Sequence, residues 1–457
     1  MFRRQLLGLA QAATRGAQPV RGNADLLQAR LFYTAAGGLK SATPATVETP
    51  SLSQQFIDVE DRFGAHNYSP LPVVLARGQG VHVWDVEGKQ YYDFLSAYSA
   101  VNQGHCHPKI IEALVKQSAT LGLTSRAFYN NVLGDFEKYV TSLFGFDRVL
   151  PMNTGVEGGE TAIKLARRWG YNVKGIAADQ ARIVFAAGNF WGRTMSAISS
   201  STDPASYDRF GPKMPNFDIV PYNDLPALEA KLASDPNVAG FMVEPIQGEA
   251  GVVIPDPGYL AAVKALCQKH NVLMIADEVQ TGLCRTGAMI CCDHDNVKPD
   301  ILVLGKALSG GVYPVSAVLT SDEVMLQIRP GEHGSTYGGN PTAAAVATAA
   351  LQVLVDEKLA ENSKNMGQLL LQELQALVAE SPMVAAVRGK GLLCAVVIDE
   401  AAVGASAYDV CMALRDAGLL AKPTQGDTIR LAPPLTITEA QLRECVGILR
   451  STLKSFA

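Results

Sequence analysis

The chain of 457 residues predicts an α/β fold: a large domain on a mostly parallel, seven-stranded sheet, followed by a smaller α+β C-terminal domain. Two observations carry this. Short apolar runs, such as residues 272–276 and 301–304, alternate with amphipathic stretches such as 157–173 and 259–270, as buried parallel strands and their covering helices do. With 48% apolar and 18% charged residues, the chain also has enough apolar surface for a large core.

In chain order, residues 51–64 read as a short helix, and residues 80–93 (GVHVWDVEGKQYYD) alternate apolar and polar positions around Glu87-Gly88, a hairpin pattern. The seven strands are expected to start near Arg148, Ile183, Phe217, Val238, Val272, Ile301 and Pro314. An Ala-rich helix leaves this domain at Asn340, then come two strands near 383–388 and 392–398 and further helices. The predicted division is a cleaved presequence over 1–40, an N-terminal segment with short strands over 41–95, a large cofactor-binding domain over 96–340 and a small domain over 341–457.

Residues 1–23 hold no acid but include Arg3, Arg4, Arg15 and Arg21, with Phe2, Leu6, Leu9 and Ala13 at helical spacing. A cationic amphipathic helix of this kind reads as a transit peptide rather than a secretory signal. The mitochondrial matrix is the expected destination, with a plastid or a plain disordered terminus as alternatives, and cleavage is expected between residues 30 and 40.

The net charge of −5 provides no basic footprint for nucleic acid, and no apolar run approaches the ~20 residues of a membrane span. No fixed-period repeat argues for a solenoid. The eight cysteines include no C-x-x-C and fit a reducing compartment. Residues 104–108 (GHCHP) suggest a metal, but ligands so close in one loop rarely converge on an ion, so no metal is expected.

Three runs carry chemistry. In residues 300–311 (DILVLGKALSGG), Lys306 stands just past a buried strand, where loss of water lowers an amine's pKa and readies it to form a Schiff base; a lysine that snorkels to solvent is the alternative. In residues 272–280 (VLMIADEVQ), Asp277 and Glu278 end another core strand. Two such carboxylates could bind a metal or a cation. If Lys306 carries pyridoxal 5′-phosphate (PLP), one is wanted beside the pyridine nitrogen; Asp277 is the choice, with Glu278 pointing elsewhere. Residues 153–167 (NTGVEGGETAIKLAR) follow a strand and open a helix, an anion site or a plain Gly-rich turn.

Together with residues 67–72 (NYSPLP), 99–108 (SAVNQGHCHP), 124–131 (TSRAFYNN), 188–193 (GNFWGR), 244–249 (EPIQGE) and 331–340 (GEHGSTYGGN), these runs make the chain after about residue 50 resemble the class-III aminotransferases of PLP fold type I. One departure is Gly158-Gly159, where the family more often has Ala first. A helical Gly there costs up to ~1 kcal/mol, and no functional change is attached to it.

The resemblance implies that Lys306 bears PLP and shuttles the proton, Asp277 pairs with the ring nitrogen, Phe190 stacks on the ring and Gln280 sits near its hydroxyl. Gly155 and Val156 would hold the phosphate, with Ser335 and Thr336 reaching in from a neighbouring subunit of a homodimer. It further implies transfer of the δ-amino group of L-ornithine to 2-oxoglutarate, giving glutamate 5-semialdehyde and glutamate. Arg193 would take the α-carboxylate of ornithine or the distal carboxylate of glutamate, Tyr68 the ornithine α-amine, and Tyr98 would line that pocket. Arg430 would bind the α-carboxylate of glutamate once Glu249 releases it. The alternatives are a sibling enzyme acting on N-acetylornithine or 4-aminobutyrate, or a non-catalytic protein on the same scaffold.

Overall fold

The alternating residues form the expected hairpin. In the computed structural model, which describes residues 51–456, β1 (Leu75–Gln79), β2 (His82–Asp85) and β3 (Gln90–Asp93) form an antiparallel ladder. The expected presequence and its cleavage point lie outside the described residues. Ahead of the ladder, Ser51 caps the helix Leu52–Phe63 by accepting a bond from the Gln54 N–H at 3.1 Å. No residue of this helix is buried.

The apolar runs become the main sheet: β4 (Arg148–Met152), β5 (Arg182–Ala186), β6 (Phe217–Val220), β7 (Val238–Val243), β8 (Leu273–Asp277), β9 (Ile301–Leu304) and β10 (Ser316–Thr320). The order is β4-β10-β9-β8-β7-β5-β6. Only β10 runs against the others, pairing antiparallel with β4 and β9, so this is the mostly parallel seven-stranded sheet the sequence predicts. Strands β7 to β10 are buried at every position, which is why they read as continuous apolar runs rather than alternating ones.

The helix Gly155–Asn172 opens on a capping box, in which Thr154 accepts from the Glu157 N–H and the Glu157 carboxylate accepts from the Thr154 N–H. Its buried side explains the glycine pair. A Cβ on Gly158 would stand 2.9 Å from Val303 Cγ1, and one on Gly159 2.6 Å from the Trp191 ring. The lost helix propensity is exchanged for close contact with the sheet and with the loop after β5.

After the helices Pro341–Asp356 and Leu359–Glu380 come β11 (Val384–Lys390) and β12 (Leu393–Ile398), then β13 (Leu419–Leu420), β14 (Lys422–Thr424) and β15 (Thr428–Leu431). A four-stranded sheet runs β11-β12-β15-β14, while β13 pairs parallel with β3. Only helices were expected after residue 398. The strands missed there have two to four residues, too short to show a period of two, and Pro423 and Gly426 interrupt them.

Exposed Gly447, in the helix Glu439–Lys454, has nothing within 4 Å of an added Cβ. Gly447→Ala should therefore stabilise the protein by roughly 0.5–1 kcal/mol, whereas Gly159→Ala should destabilise it. Chemical denaturation of both variants against the parent checks the pair.

Candidate active site

Because β4, β5, β7, β8 and β9 are mutually parallel, their carboxyl ends open on one edge of the sheet, where ligands of such folds bind. The segments leaving that edge carry most of the candidate residues. A cavity of about 660 Å³ there is lined by Tyr68, Tyr98, Phe190, Arg193, Glu249, Gln280 and Lys306, among others. Seven of the thirteen residues expected from the sequence thus share one wall.

Lys306 follows β9 and adopts the left-handed region at φ 42°, a conformation costing a non-glycine residue roughly 1–2 kcal/mol. Loss of water lowers its pKa; the charges of Asp277, Glu244 and Glu249 resist this, while Arg430 adds to it. Asp277 closes β8 and is 5% exposed. Burial pushes its carboxyl up to about 6 against the Val279 N–H bond and the charge of Lys306. Glu278 turns away, accepting from Thr281 Oγ1 and the Cys292 N–H.

Asp277, Gly155 and Val156 are not among the residues that line the cavity. A Cβ on Gly155 would meet Val279 Cγ1 at 2.9 Å, and one on Gly305 would meet the same atom at 3.2 Å and Gly155 Cα at 3.5 Å. The helix N-terminus is thus packed against the residue before Lys306. Among the described residues, the N–H groups of Gly155 and Val156 have no hydrogen-bond partner, which leaves them for an anion. Gly192, at φ 143°, presses on this turn from the loop after β5; a side chain there would collide with Val156 Cγ2. That loop holds the Phe190 ring, with the Arg193 guanidinium 5.4 Å from its centroid.

Arg430, in the middle of β15, is 1% exposed. Its Nη2 donates to Glu249 Oε2 at 3.1 Å and its Nη1 to Gln280 Oε1 at 2.9 Å, while, among the described residues, its buried Nε has no partner. The Tyr98 ring covers the guanidinium at 4.7 Å, a cation–π contact. Tyr98 reaches this position from a turn in which Ser96, Ala97, Tyr98 and Ser99 have φ of 49°, 47°, 61° and 70°. Asp93 Oδ1 accepts from the N–H groups of Leu95 and Ser96, both at 2.9 Å, and anchors the start of that turn.

Within the single chain, Ser335 and Thr336 do not reach the cavity. Ser335 Oγ accepts from Asn153 Nδ2 at 2.9 Å, and Thr336 is exposed. Of the GHCHP run, His105 pairs with Asp93 at 2.7 Å and His107 with Glu357 at 3.0 Å, so the two rings serve different partners. Sequence reasoning gave no role to Glu244, a carboxyl 6% exposed just past β7. Burial and the nearby Asp277 charge raise it to about 8, against bonds from the Phe190 and Gly248 N–H groups and the Lys306 charge. Its signal was the one that singled out Asp277, an acid directly after an apolar strand.

Residues 63–453 match the family model described as aminotransferase class-III. A relative named ornithine aminotransferase, mitochondrial, from Rattus norvegicus is 63% identical over 94% of this chain and 97% of its own. The solved ornithine aminotransferase of Toxoplasma gondii, with PLP at partial occupancy in its active site, aligns at TM-score 0.87 and 48% identity, covering 88% of this chain and 94% of that one. An acetylornithine aminotransferase from Elizabethkingia anophelis aligns at TM-score 0.81 and 55% identity, covering 88% and 99%.

Glu244 also predicts a pH dependence. With a folded value of about 8 against an ordinary 4.5, the native state keeps a proton that the unfolded chain releases between those values. Its stabilising share is therefore complete below about pH 4.5 and lost as the pH rises through about 8. Glu244→Gln removes this dependence, so the Tm of the variant minus that of the parent, both cofactor-free, should rise from pH 5 to pH 8. A flat difference would contradict it.

Proposed function

Because the chain belongs to the class-III aminotransferases, we infer that it transfers the δ-amino group of L-ornithine to 2-oxoglutarate, with PLP as coenzyme, giving glutamate 5-semialdehyde and glutamate. The first product cyclises spontaneously. The observation that carries the substrate reading is Arg430, buried beside the cavity and held by Glu249.

The residues present fit the coenzyme. Two N–H groups at a helix N-terminus, without a partner among the described residues, suit a phosphate, and a buried acid at the end of β8 suits a pyridine nitrogen. An amine with lowered pKa faces the cavity. When bound, PLP supplies an electron sink for the carbon that loses its proton. On our reading Lys306 would hold it and would move that proton, Asp277 would pair with the ring nitrogen, Phe190 would stack on the ring and Gln280 would serve its hydroxyl. Gly155 and Val156 would hold the phosphate.

Selectivity follows from two arginines at different depths. Arg193, exposed beside the Phe190 ring, takes the α-carboxylate of ornithine or the distal carboxylate of glutamate, and Tyr68 the ornithine α-amine. Arg430 takes the α-carboxylate of glutamate. A guanidinium offers five donors, and the Nε of this one has no partner among the described residues. While Glu249 neutralises it, ornithine is not captured by its α end and presents its δ-amine to Lys306.

The solved acetylornithine relative favours a second reading, an N-acetylated donor; 4-aminobutyrate is a third. Tyr68, 78% exposed and lining the cavity, argues for ornithine, since its hydroxyl suits a free α-amine. The presence of Lys306, Asp277 and both arginines argues against a non-catalytic scaffold. A homodimer is supported by the uncovered helix Leu52–Phe63, with Phe56, Val59 and Phe63 exposed. Ser335 and Thr336 would complete the phosphate site of the neighbouring subunit. A mitochondrial destination is supported by the acid-free first 23 residues and by the name of the rat relative.

Turnover of ornithine should exceed that of N-acetylornithine and 4-aminobutyrate by on the order of 100-fold in kcat/KM. A preference for either of the latter, or no turnover at all, would overturn the assignment. Glu249→Ala should free Arg430 and lower the ornithine-to-glutamate ratio of kcat/KM by about tenfold, the loss of one charge-assisted bond. Single-turnover kinetics of the two half-reactions measure that ratio.

A further inference from the structure

Resting on the reading above, we propose that Glu244 and Gln247 are positioning residues that set the spacing between the Arg193 loop and the Glu249–Arg430 gate, and thereby how the site divides its two substrates. Glu244 Oε1 accepts from the Phe190 N–H at 3.0 Å and Oε2 from the Gly248 N–H at 3.4 Å. One buried carboxyl therefore holds the residue three places before Arg193 and the residue immediately before Glu249. Gln247 adds a parallel tie, its Nε2 donating to Ala187 O at 2.7 Å.

The other bonds of the loop lead elsewhere. Asn189 bonds Ala186 O and Ser200 O, Trp191 bonds Ser200, Ala187 N–H reaches Val220 O and Thr194 reaches Glu160. Among the described residues, only Glu244 and Gln247 hydrogen-bond this loop to the segment carrying Glu249. That segment is fixed on its far side, where the Glu249 carbonyl accepts from Thr424 Oγ1 at 3.0 Å and Gln425 Nε2 at 3.1 Å.

The closeness of the two segments is built in. A Cβ on Gly188 would stand 2.9 Å from Gln247 Oε1, and one on Gly248 would collide with Gln280 Oε1, the atom that receives Arg430 Nη1. Loosening the ties lets the distance from Arg193 to Arg430 vary, and both substrates are read by where their carboxylates fall along that distance.

The test compares Glu244→Ala, Glu244→Gln and Gln247→Ala holoenzymes with the parent in both half-reactions. Glu244→Ala should raise KM for ornithine and for 2-oxoglutarate by about tenfold, with a smaller change in kcat, and should shift the ornithine-to-glutamate preference. Gln247→Ala should do the same to a lesser degree. Glu244→Gln, which keeps one acceptor, should recover part of the loss. In a Glu249→Ala background the preference shift should shrink, because the gate that the tie positions is gone.

Unchanged KM values and preference, or a loss confined to kcat and proportional to lost folded protein, would overturn the proposal. If Glu244→Ala does not fold, the Gln variants decide on the same readouts. Were the parent inactive on ornithine, the functional reading would fail by itself. The positioning claim would then stand or fall on the visible circular dichroism of bound PLP, which Glu244→Ala should alter through Phe190.

Discussion

A guanidinium almost without solvent cannot remain charged unless something in the protein answers it, and the burial of Arg430 organises much of what surrounds it. Glu249 supplies the charge, Gln280 a second acceptor and Tyr98 an aromatic face. Each arrives from a different part of the chain: the segment after β7, the segment after β8 and the turn after β3. The arginine itself comes from β15 in another sheet. What holds these pieces in register is electrostatic need as much as apolar packing.

Parallel strands make this convergence possible. They bring several chain ends to one edge, and close approach there depends on absent side chains. Gly155 and Gly305 close around Val279, Gly192 admits Val156, and Gly248 admits Gln280. The edge also gathers three ionisable groups that oppose one another, Lys306, Asp277 and Glu244. Burial alone would neutralise each of them; the Lys306 amine is lowered by loss of water while the two acids beside it resist that shift.

The sheet was legible because β7 to β10 are buried on both faces and must be apolar throughout. The buried settings of Lys306 and Asp277 were legible because each puts a charge at, or just past, the end of such a run. Glu244 carries the same mark, an acid directly after β7, yet sequence reasoning gave it no role. Arg430 could not be ranked from charge count, since its burial depends on β12 and β14 flanking a strand of four residues. Nothing in Ser96-Ala97-Tyr98-Ser99 announces a left-handed turn, because no Gly or Asn is present to signal it. Nor does local sequence announce that the Ser335 hydroxyl serves Asn153, as it does in the single chain.

That turn has a consequence for how the protein can adapt. Four successive non-glycine residues in an unfavoured backbone region form a reservoir of conformational energy, held there by Asp93 and by the packing around Tyr98. Sequence drift toward glycine at Ala97 would relax the backbone and raise tolerance to heat, but it would blunt the aim of the aromatic ring over the guanidinium. Selection for robustness and selection for discrimination therefore pull this short stretch in opposite directions.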